Sequence, residues 1–312
     1  MRVHERGIDD RASAARRAVR HGRAGARVTR SLRFAVIGDP IGHSKSPRMH
    51  GAAYAALGLP HTYEALATRP DEVAARVRAV RDGAYAGMNV TVPHKRAVLD
   101  HVDLVDASAR AVLAANTLVR DRDGRVVAFN TDVPALAAEL ARLAPERDAA
   151  AWGARPALIL GSGGAARAAV AAVASLGVRS IHVRARSVEG ARALRAIVSG
   201  AEPPIDVVAA PIAPGGGDAL FATIVQATSA GMSGGADGEP IARAVPWGAL
   251  AVSAVALDVV YAPPETPFLA AARARGLRAD NGFGMLVSQG ALAFEMWLGV
   301  RPPLDAMRAA LG

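Results

Sequence analysis

The stretch "ALILGSGGAARAAVAAVASLG", residues 157–177, constrains the fold more than any other in this chain. Four apolar residues end in a glycine-rich turn, and an alanine-rich segment of helical period follows. A buried strand that turns at once into a helix opens a parallel α/β unit, because a parallel neighbour needs a crossover connection. Strands at "SIHVRARS" and near 205–209, 222–227 and 255–260 continue the alternation and predict a parallel sheet with right-handed crossovers. Loops are expected at "GGGD" (215–218) and "SGGADGEP" (233–240).

Within the turn, Gly161-Ser162-Gly163-Gly164-Ala165-Ala166 fits G-x-G-x-x-A between a strand and a helix. Glycines there permit close approach of backbone to a pyrophosphate, which sits on the helix's positive end. A tight turn alone also needs glycine, so the strand–helix context carries the nucleotide reading. The next strand selects the nucleotide. An NAD site wants an acidic residue at that strand's end for the ribose 2′-hydroxyl. "HVRARS" offers Arg184 and Arg186 instead, and a guanidinium suits a 2′-phosphate. NADP(H) is the expected cofactor. The competing reading makes both arginines solvent-facing charges, since alternation puts His182, Arg184 and Arg186 on one face. Glu189 falls past the strand, on a solvated helix.

The first half alternates too, without a dinucleotide fingerprint. Its pattern predicts a strand at 33–38 and a helix over "SPRMHGAAYAALG" with Ser46 as N-cap and Pro47 in the first turn. A strand near 62–66, a helix near 71–82, a strand at 86–92 and a helix after Pro93 follow. "DRDG" joins strands near 113–119 and 125–129 into a hairpin. A helix near 134–143 leads to "APERDAAAWGARP", which reads as a linker. The expected architecture is a three-layer α/β domain over residues 33–133 and a Rossmann-type domain over 150–280. Helices from about 281 to 312 return to pack on the first domain, and a cleft that closes over a substrate is expected between the two.

A chain of 312 residues, 51% hydrophobic and 4% aromatic, builds such cores from Ala, Val and Leu. No apolar run approaches the roughly 18–20 residues that cross a bilayer, and no signal-peptide pattern is present. A soluble, cytoplasmic protein is expected. The absence of cysteine excludes disulfides, thiolate metal sites and every cysteine nucleophile, including that of a thioester-forming reductase. The net charge of +9 looks like a nucleic-acid signal until it is located. Residues 1–32 hold nine arginines against Glu5, Asp9 and Asp10, a net +6, which leaves only +3 for the rest. An arm of this composition buries too little surface to order itself, so a disordered extension is its leading reading. A tether to phosphates or an anionic surface is a second reading; a transit peptide is opposed by the three acidic residues. Nucleic acid is not an expected partner.

Three polar clusters interrupt or follow strands of the first half: "NVTVPHK" (89–95), Asn116-Thr117 and Asn130-Thr131-Asp132. With Ser44 and Ser46 of "GDPIGHSKSP" they supply hydroxyls, amides, one ammonium and one carboxylate. Neutral donors with one Lys–Asp pair suit a small polyhydroxylated molecule, and no cluster has metal-ligand spacing. A lysine opening a helix after Pro93 sits badly at that helix's positive end, which favours a chemical role for Lys95. Asp132 serves equally as an N-cap, a role compatible with catalysis.

Taken together, these stretches resemble the shikimate dehydrogenase family over nearly all of residues 33–312. The matching strings are "GDPIGHSKSPRMH", "GMNVTVPHK", "ANTL", "NTD", "GSGGAARA", "QATSAGM", "LDVVYAPPETPFL" and "NGFGMLVSQGALAFEMW", in that order. The resemblance implies reversible reduction of 3-dehydroshikimate to shikimate with NADPH, in aromatic amino-acid and chorismate biosynthesis, by a monomer or homodimer. It implies that Ser44 and Ser46 hold the substrate carboxylate, while Asn89, Thr91, Asn116, Tyr261 and Gln289 hold the ring hydroxyls and frame the pocket. Lys95 would be the acid–base residue and Asp132 its partner. Gly161, Ser162, Gly163, Gly164, Ala165, Arg186, Ser187, Val259 and Gly282 would line the cofactor. Read without the resemblance, Asn116, Tyr261 and Gln289 serve equally as ordinary buried hydrogen-bonding groups.

Four positions depart from the family's pattern. Val133-Pro134 follows "NTD" where glycine is usual, and Ala185-Arg186-Ser187 replaces Asn-Arg-Thr. Gly190 stands where a second arginine is common, and Val259 where methionine is. These leave room for a quinate/shikimate or aminoshikimate-type paralogue with relaxed NAD/NADP use. The alternative from another class is a non-catalytic nucleotide-binding sensor, which would need neither Lys95 nor Asp132.

Overall fold

The computed structural model describes residues 30–213 and 219–312. The expected "GGGD" loop, and all but the last three residues of the basic arm, lie outside the described residues. The chain divides into two units. One runs up to Thr131 and resumes over Val287–Gly312; the other is Asp132–Leu286.

The first unit is organised by β1 (Arg33–Gly38), whose apolar run is buried along five of its six residues. Around it lie β2 (Thr62–Ala67), β3 (Gly87–Val90), β4 (Leu104–Val105), β5 (Thr117–Arg120) and β6 (Val126–Phe129), in spatial order β2-β1-β3-β5-β6-β4. Only β5 runs against its neighbours, because the hairpin after it reverses the chain. Asp121 makes that turn: its Oδ1 accepts the N–H groups of Asp123 and Arg125, and Gly124 takes φ +83°. Ile37, Val77, Met88, Leu118 and Val126 share the core beside the sheet. The helices are α1 (Ser46–Ala56), α2 (Val73–Arg81) and α3 (Ala107–Val112).

Several local expectations give way here. No α-helix follows Pro93; residues 92–96 form turns, and a 3-10 stretch spans Ala97–Asp100. The reason is a competing acceptor–donor pair, since the Lys95 carbonyl accepts from Ala115 N (2.7 Å) rather than from a helical neighbour. The helix-dipole argument for Lys95 therefore does not apply. The strand expected at 86–92 ends at Val90, and the one expected from 113 starts at Thr117, because Leu113 takes a left-handed φ of 52° after α3. Ser46 opens α1 rather than capping it, with Lys45 ahead of it and no side-chain cap.

The second unit begins with α4 (Asp132–Leu143). The expected linker after it carries a short helix instead, α5 (Ala149–Gly153), capped by Asp148 Oδ1 on Ala151 N (2.8 Å). Trp152 on that helix is 3% exposed, and the burial of so large a side chain turns a stretch read as loose into part of the core. Then come β7 (Ala157–Leu160), α6 (Gly164–Leu176), β8 (Ser180–Ala185), α7 (Val188–Arg192), β9 (Asp206–Pro211), β10 (Phe221–Gln226), α8 (Glu239–Ala244), β11 (Leu250–Asp258), α9 (Pro267–Arg273) and β12 (Arg278–Asp280). The sheet is wholly parallel, in order β12-β11-β10-β7-β8-β9. Strand order reverses between β7 and β10, the point at which a doubly wound sheet opens its ligand crevice.

The last helices are α10 (Phe283–Leu298) and α11 (Leu304–Ala309). From Val287 onward they belong with the first unit, where α11 packs on α1 and Lys45 Nζ donates to Leu311 O (3.3 Å). Trp297 lies flat over Gly87, where any Cβ would fall 2.1 Å from the indole nitrogen, and its N–H donates to Leu118 O (2.9 Å). Among the described residues, no helix is long and apolar enough to cross a membrane.

Candidate active site

Because β5 runs antiparallel, its first residues lie beside the last residues of β3 and β6. Asn89 pairs with Thr117, and Thr117 with Phe129. The three polar clusters of the sequence thus meet at one end of the first sheet. Asn116 is the hub. Its Oδ1 accepts from Thr131 N (2.8 Å), and its Nδ2 donates to Thr131 Oγ1 (2.9 Å) and to Gln289 Oε1 (3.3 Å). Asn89 Nδ2 donates to Asn116 O (3.0 Å) and Thr117 Oγ1 (3.2 Å), while its Oδ1 accepts from the Tyr63 hydroxyl (2.7 Å). Both protons of the Asn89 amide are committed to the protein, so this side chain braces the site.

The loop after β1 carries Ser44 and Ser46, joined by a Ser46 N to Ser44 Oγ bond of 3.3 Å. Thr91 continues β3 by donating its N–H to Ile37 O (2.9 Å), and its methyl fills the space that a side chain at Gly38 would need. His94 is buried and places Nε2 2.6 Å from Thr68 O, so that nitrogen carries the proton. Together with the Lys95 O to Ala115 N bond, this pins the backbone on both sides of the half-buried Lys95. Asp132, 3% exposed, stands in the first turn of α4, where the helix dipole favours a carboxylate. Its neighbour Val133 packs into the core of the second unit.

In the second unit the glycine turn occupies the switch point. Gly161 takes φ +118°, and a Cβ there would lie 3.0 Å from Ala227 O, so only glycine fits. Gly161 N donates to Arg184 O (2.8 Å), which holds the turn against β8. Ser162 leads to Gly163 in the N-cap position of α6, followed by Gly164 and Ala165. Glycine offers no side-chain acceptor there, which leaves the first-turn N–H groups to solvent or a ligand.

Arg184 of β8 and Arg186 just past its end part company. Arg184 is buried and donates from Nη1 to Ala244 O (2.7 Å), so it belongs to the fold and not to a nucleotide. Arg186 is exposed at the strand's end beside Ser187. Ser187 Oγ accepts from Gly190 N (3.0 Å) and caps α7. A side chain at Gly190 would start 3.0 Å from Ser162 Oγ, so Ser162, Ser187 and Gly190 surround one point. Gly282 approaches Val259 so closely that a Cβ would fall 2.2 Å from its carbonyl oxygen. Tyr261, half-buried, follows two residues after Val259.

Sequence reasoning missed three groups. Tyr63 joins the Asn116 network through Asn89, and nothing local in the sequence marked it, since its burial opposite Phe34 on β1 is a tertiary fact. His94 holds the lysine loop. Asp258, at the end of β11 and 0% exposed, accepts from Thr266 Oγ1 (2.6 Å), Val260 N (2.9 Å) and Gln226 Nε2 (3.3 Å). Burial pushes its carboxyl up to about 6, against the pull of these donors. An acidic residue closing an apolar strand was the available signal.

The second unit's donors are an uncapped helix start, two serine hydroxyls and the Arg186 guanidinium, a set that fits a phosphorylated dinucleotide. Comparisons with known proteins agree in kind. Residues 36–118 match the shikimate dehydrogenase substrate binding domain, and residues 282–311 the shikimate 5′-dehydrogenase C-terminal domain. The chain is 42% identical to a shikimate dehydrogenase (NADP(+)) of Methylobacterium radiotolerans, over 86% of this chain and 91% of that protein. A Thermus thermophilus shikimate 5-dehydrogenase, solved with NADP(H) and shikimate, superposes with a TM-score of 0.71 at 35% identity, covering 89% of this chain and 98% of that one. A 5-ketofructose reductase of Gluconobacter sp. strain CHM43 superposes at 0.76 with 29% identity, over 91% and 98% of the two chains. On the extent and identity of these matches, the chain belongs to the shikimate dehydrogenase family.

Proposed function

We propose that this chain is an NADP-dependent oxidoreductase that reversibly reduces 3-dehydroshikimate to shikimate. The observation that carries the reading is the buried amide–hydroxyl network around Asn116, which gathers Asn89, Thr117, Thr131 and Gln289 at one sheet end. Such a set recognises a small ring bearing hydroxyl groups, since each buried polar atom left unpaired is costly. In this reading the Ser44 and Ser46 hydroxyls donate to the substrate carboxylate, and Thr91, Tyr261 and Gln289 meet the ring hydroxyls. Asn89 and Asn116 hold those partners in place.

When bound, NADPH supplies the hydride that adds to the ring ketone carbon. The residues of the chain manage the charge this creates. Lys95 gives a proton from its ammonium to the ketone oxygen as negative charge grows there, and in the reverse direction takes that proton back. Asp132 is the carboxylate assigned to orient the lysine and a substrate hydroxyl. Gly161, Ser162, Gly163, Gly164 and Ala165 take the pyrophosphate, Arg186 and Ser187 the 2′-phosphate, and Val259 and Gly282 the nicotinamide side. The first unit is thus the substrate domain and the second the cofactor domain, in a cytoplasmic monomer or homodimer.

The test is a panel of shikimate and quinate, each with NADP and with NAD, followed at the reduced-nicotinamide absorbance. Shikimate with NADP should give the highest kcat/KM. A panel in which another pair wins by tenfold or more overturns the assignment of substrate or cofactor. Gly190 favours one second reading, relaxed NAD/NADP use, because it puts no second arginine beside Arg186 in the first turn of α7. A chain that binds NADP but turns over nothing would be a sensor.

A further inference from the structure

We propose that Asp258 is a positioning residue of the cofactor site, stapling both ends of the loop 259–265 so that Val259 meets the nicotinamide in one fixed setting. The proposal rests on the reading above, in which Val259 and Gly282 line the nicotinamide side. Asp258 ends β11 and uses both carboxylate oxygens. Oδ1 accepts from Val260 N (2.9 Å), an Asx-type turn that fixes the backbone on either side of Val259. Oδ2 accepts from Thr266 Oγ1 (2.6 Å), at the far end of the loop. Thr266 also caps α9 at Leu269 N (3.3 Å), so the loop's exit is tied to a helix.

The backbone of Val259 is held from two further directions. Its N–H donates to Gln226 O (2.9 Å), and Gly282 closes on its carbonyl while donating its own N–H to Val260 O (3.1 Å). Gln226 belongs to the same network, since its amide nitrogen donates to Asp258 Oδ1 (3.3 Å) and to Ala230 O (3.1 Å). Asp258 and Val260 are buried, while Val259 between them is only half-buried, so the staple leaves this one residue accessible. All three donors to Asp258 are neutral, and what the acceptor-only carboxylate supplies is geometry. It gathers donors from three separate segments, which no apolar side chain could do. The glycine turn is held separately, through Gly161 N at Arg184 O (2.8 Å). Loss of the staple therefore loosens the nicotinamide side and leaves the 2′-phosphate side in place.

The experiment is titration calorimetry of the full chain at pH 7.5, without substrate. The two ligands are NADP and adenosine 2′,5′-bisphosphate, which carries the 2′-phosphate but no nicotinamide. Asp258→Ala should weaken NADP at least fivefold and the bisphosphate less than twofold. Asp258→Asn should keep both affinities within twofold of wild type, because its carbonyl still accepts from Val260 N and its amide donates to Thr266 Oγ1. A smaller loss of NADP affinity in Asp258→Ala overturns the proposal, as does a comparable loss for the bisphosphate, the mark of general loosening. An Asp258→Asn loss as large as that of Asp258→Ala overturns it too. Should Asp258→Ala not fold, Thr266→Val, which removes a single donor to the carboxylate, reads the same split, with Thr266→Ser as its rescue. NADP affinity left unchanged by Thr266→Val, or lost equally with that for the bisphosphate, overturns the proposal. Wild type that binds neither ligand overturns the cofactor reading beneath it, a separate result.

Discussion

Asn116 donates an amide proton to Gln289 Oε1 across 3.3 Å, joining two residues 173 positions apart in the chain. The bond ties the start of β5 to the C-terminal helix α10 and makes Gln289 a wall of the same polar network. Asn116→Ala removes the acceptor of Thr131 N and the donor to Thr131 Oγ1 and Gln289 together. Leaving those buried groups unpaired should cost about 1–3 kcal/mol of stability. Thermal unfolding and kcat/KM for shikimate should both fall in that variant, and wild-type values for both would remove the hub role.

Lys95 is held by its backbone on both sides, through His94 Nε2 at Thr68 O and its own carbonyl at Ala115 N. A lysine whose backbone is fixed in this way presents its ammonium from a defined point, which suits proton transfer. Lys95→Ala should lower kcat by roughly 10²–10⁴. Shikimate affinity, read by titration calorimetry, should stay within about tenfold, or roughly 1.4 kcal/mol. A variant that retains wild-type turnover would take the lysine out of the mechanism.

Arg184 and Arg186 test whether structure sorts two residues that the sequence presents as equals. Arg186→Ala should raise KM for NADP about tenfold or more while leaving KM for NAD little changed, since only one ligand carries the 2′-phosphate. Arg184→Ala should leave that ratio alone and lower the melting temperature, because its guanidinium holds Ala244 O in the fold. The opposite pattern would reverse the assignment.

Strand–helix alternation made the second sheet legible, and the glycine turn marked the crevice, because both depend on local periodicity and turn chemistry. The lysine loop was misread for a physical reason. "PHKRAV" looks like a helix start, and nothing local says that Ala115, twenty residues on, takes the Lys95 carbonyl. Trp152 was lost in a stretch of alanine and charge for the same cause, since its burial is a tertiary fact. Tyr63 and Asp258 escaped because their partners, Asn89 and Thr266, lie on other elements. Of the arginine pair, alternation gave the shared face but not which of the two finds an acceptor in Ala244.

Two buried groups make the stability of the chain depend on pH in opposite directions. His50 is 0% exposed, and burial pushes its imidazole down to about 3, so it stays neutral in the folded chain. Its ring nitrogens have no hydrogen-bond partner among the described residues. As pH falls from about 6.5 toward 3 the unfolded chain takes up a proton that the folded chain refuses, and stability is lost. Asp258, raised to about 6, behaves in reverse. Between about 6 and 4 the folded carboxyl keeps a proton that the unfolded one has released, so this group adds stability as pH falls. That contribution, about 3 kcal/mol when complete, is gone above pH 6, where the buried carboxylate is charged. Asp258→Asn should therefore be more stable than wild type at pH 7.5 and lose stability more steeply from pH 6 to 4. His50→Phe, an apolar ring of similar shape against Tyr63, should flatten the acid limb between pH 6.5 and 4. Urea unfolding across that range reads both, and parallel pH profiles for wild type and the two variants would show that neither group titrates as its burial requires.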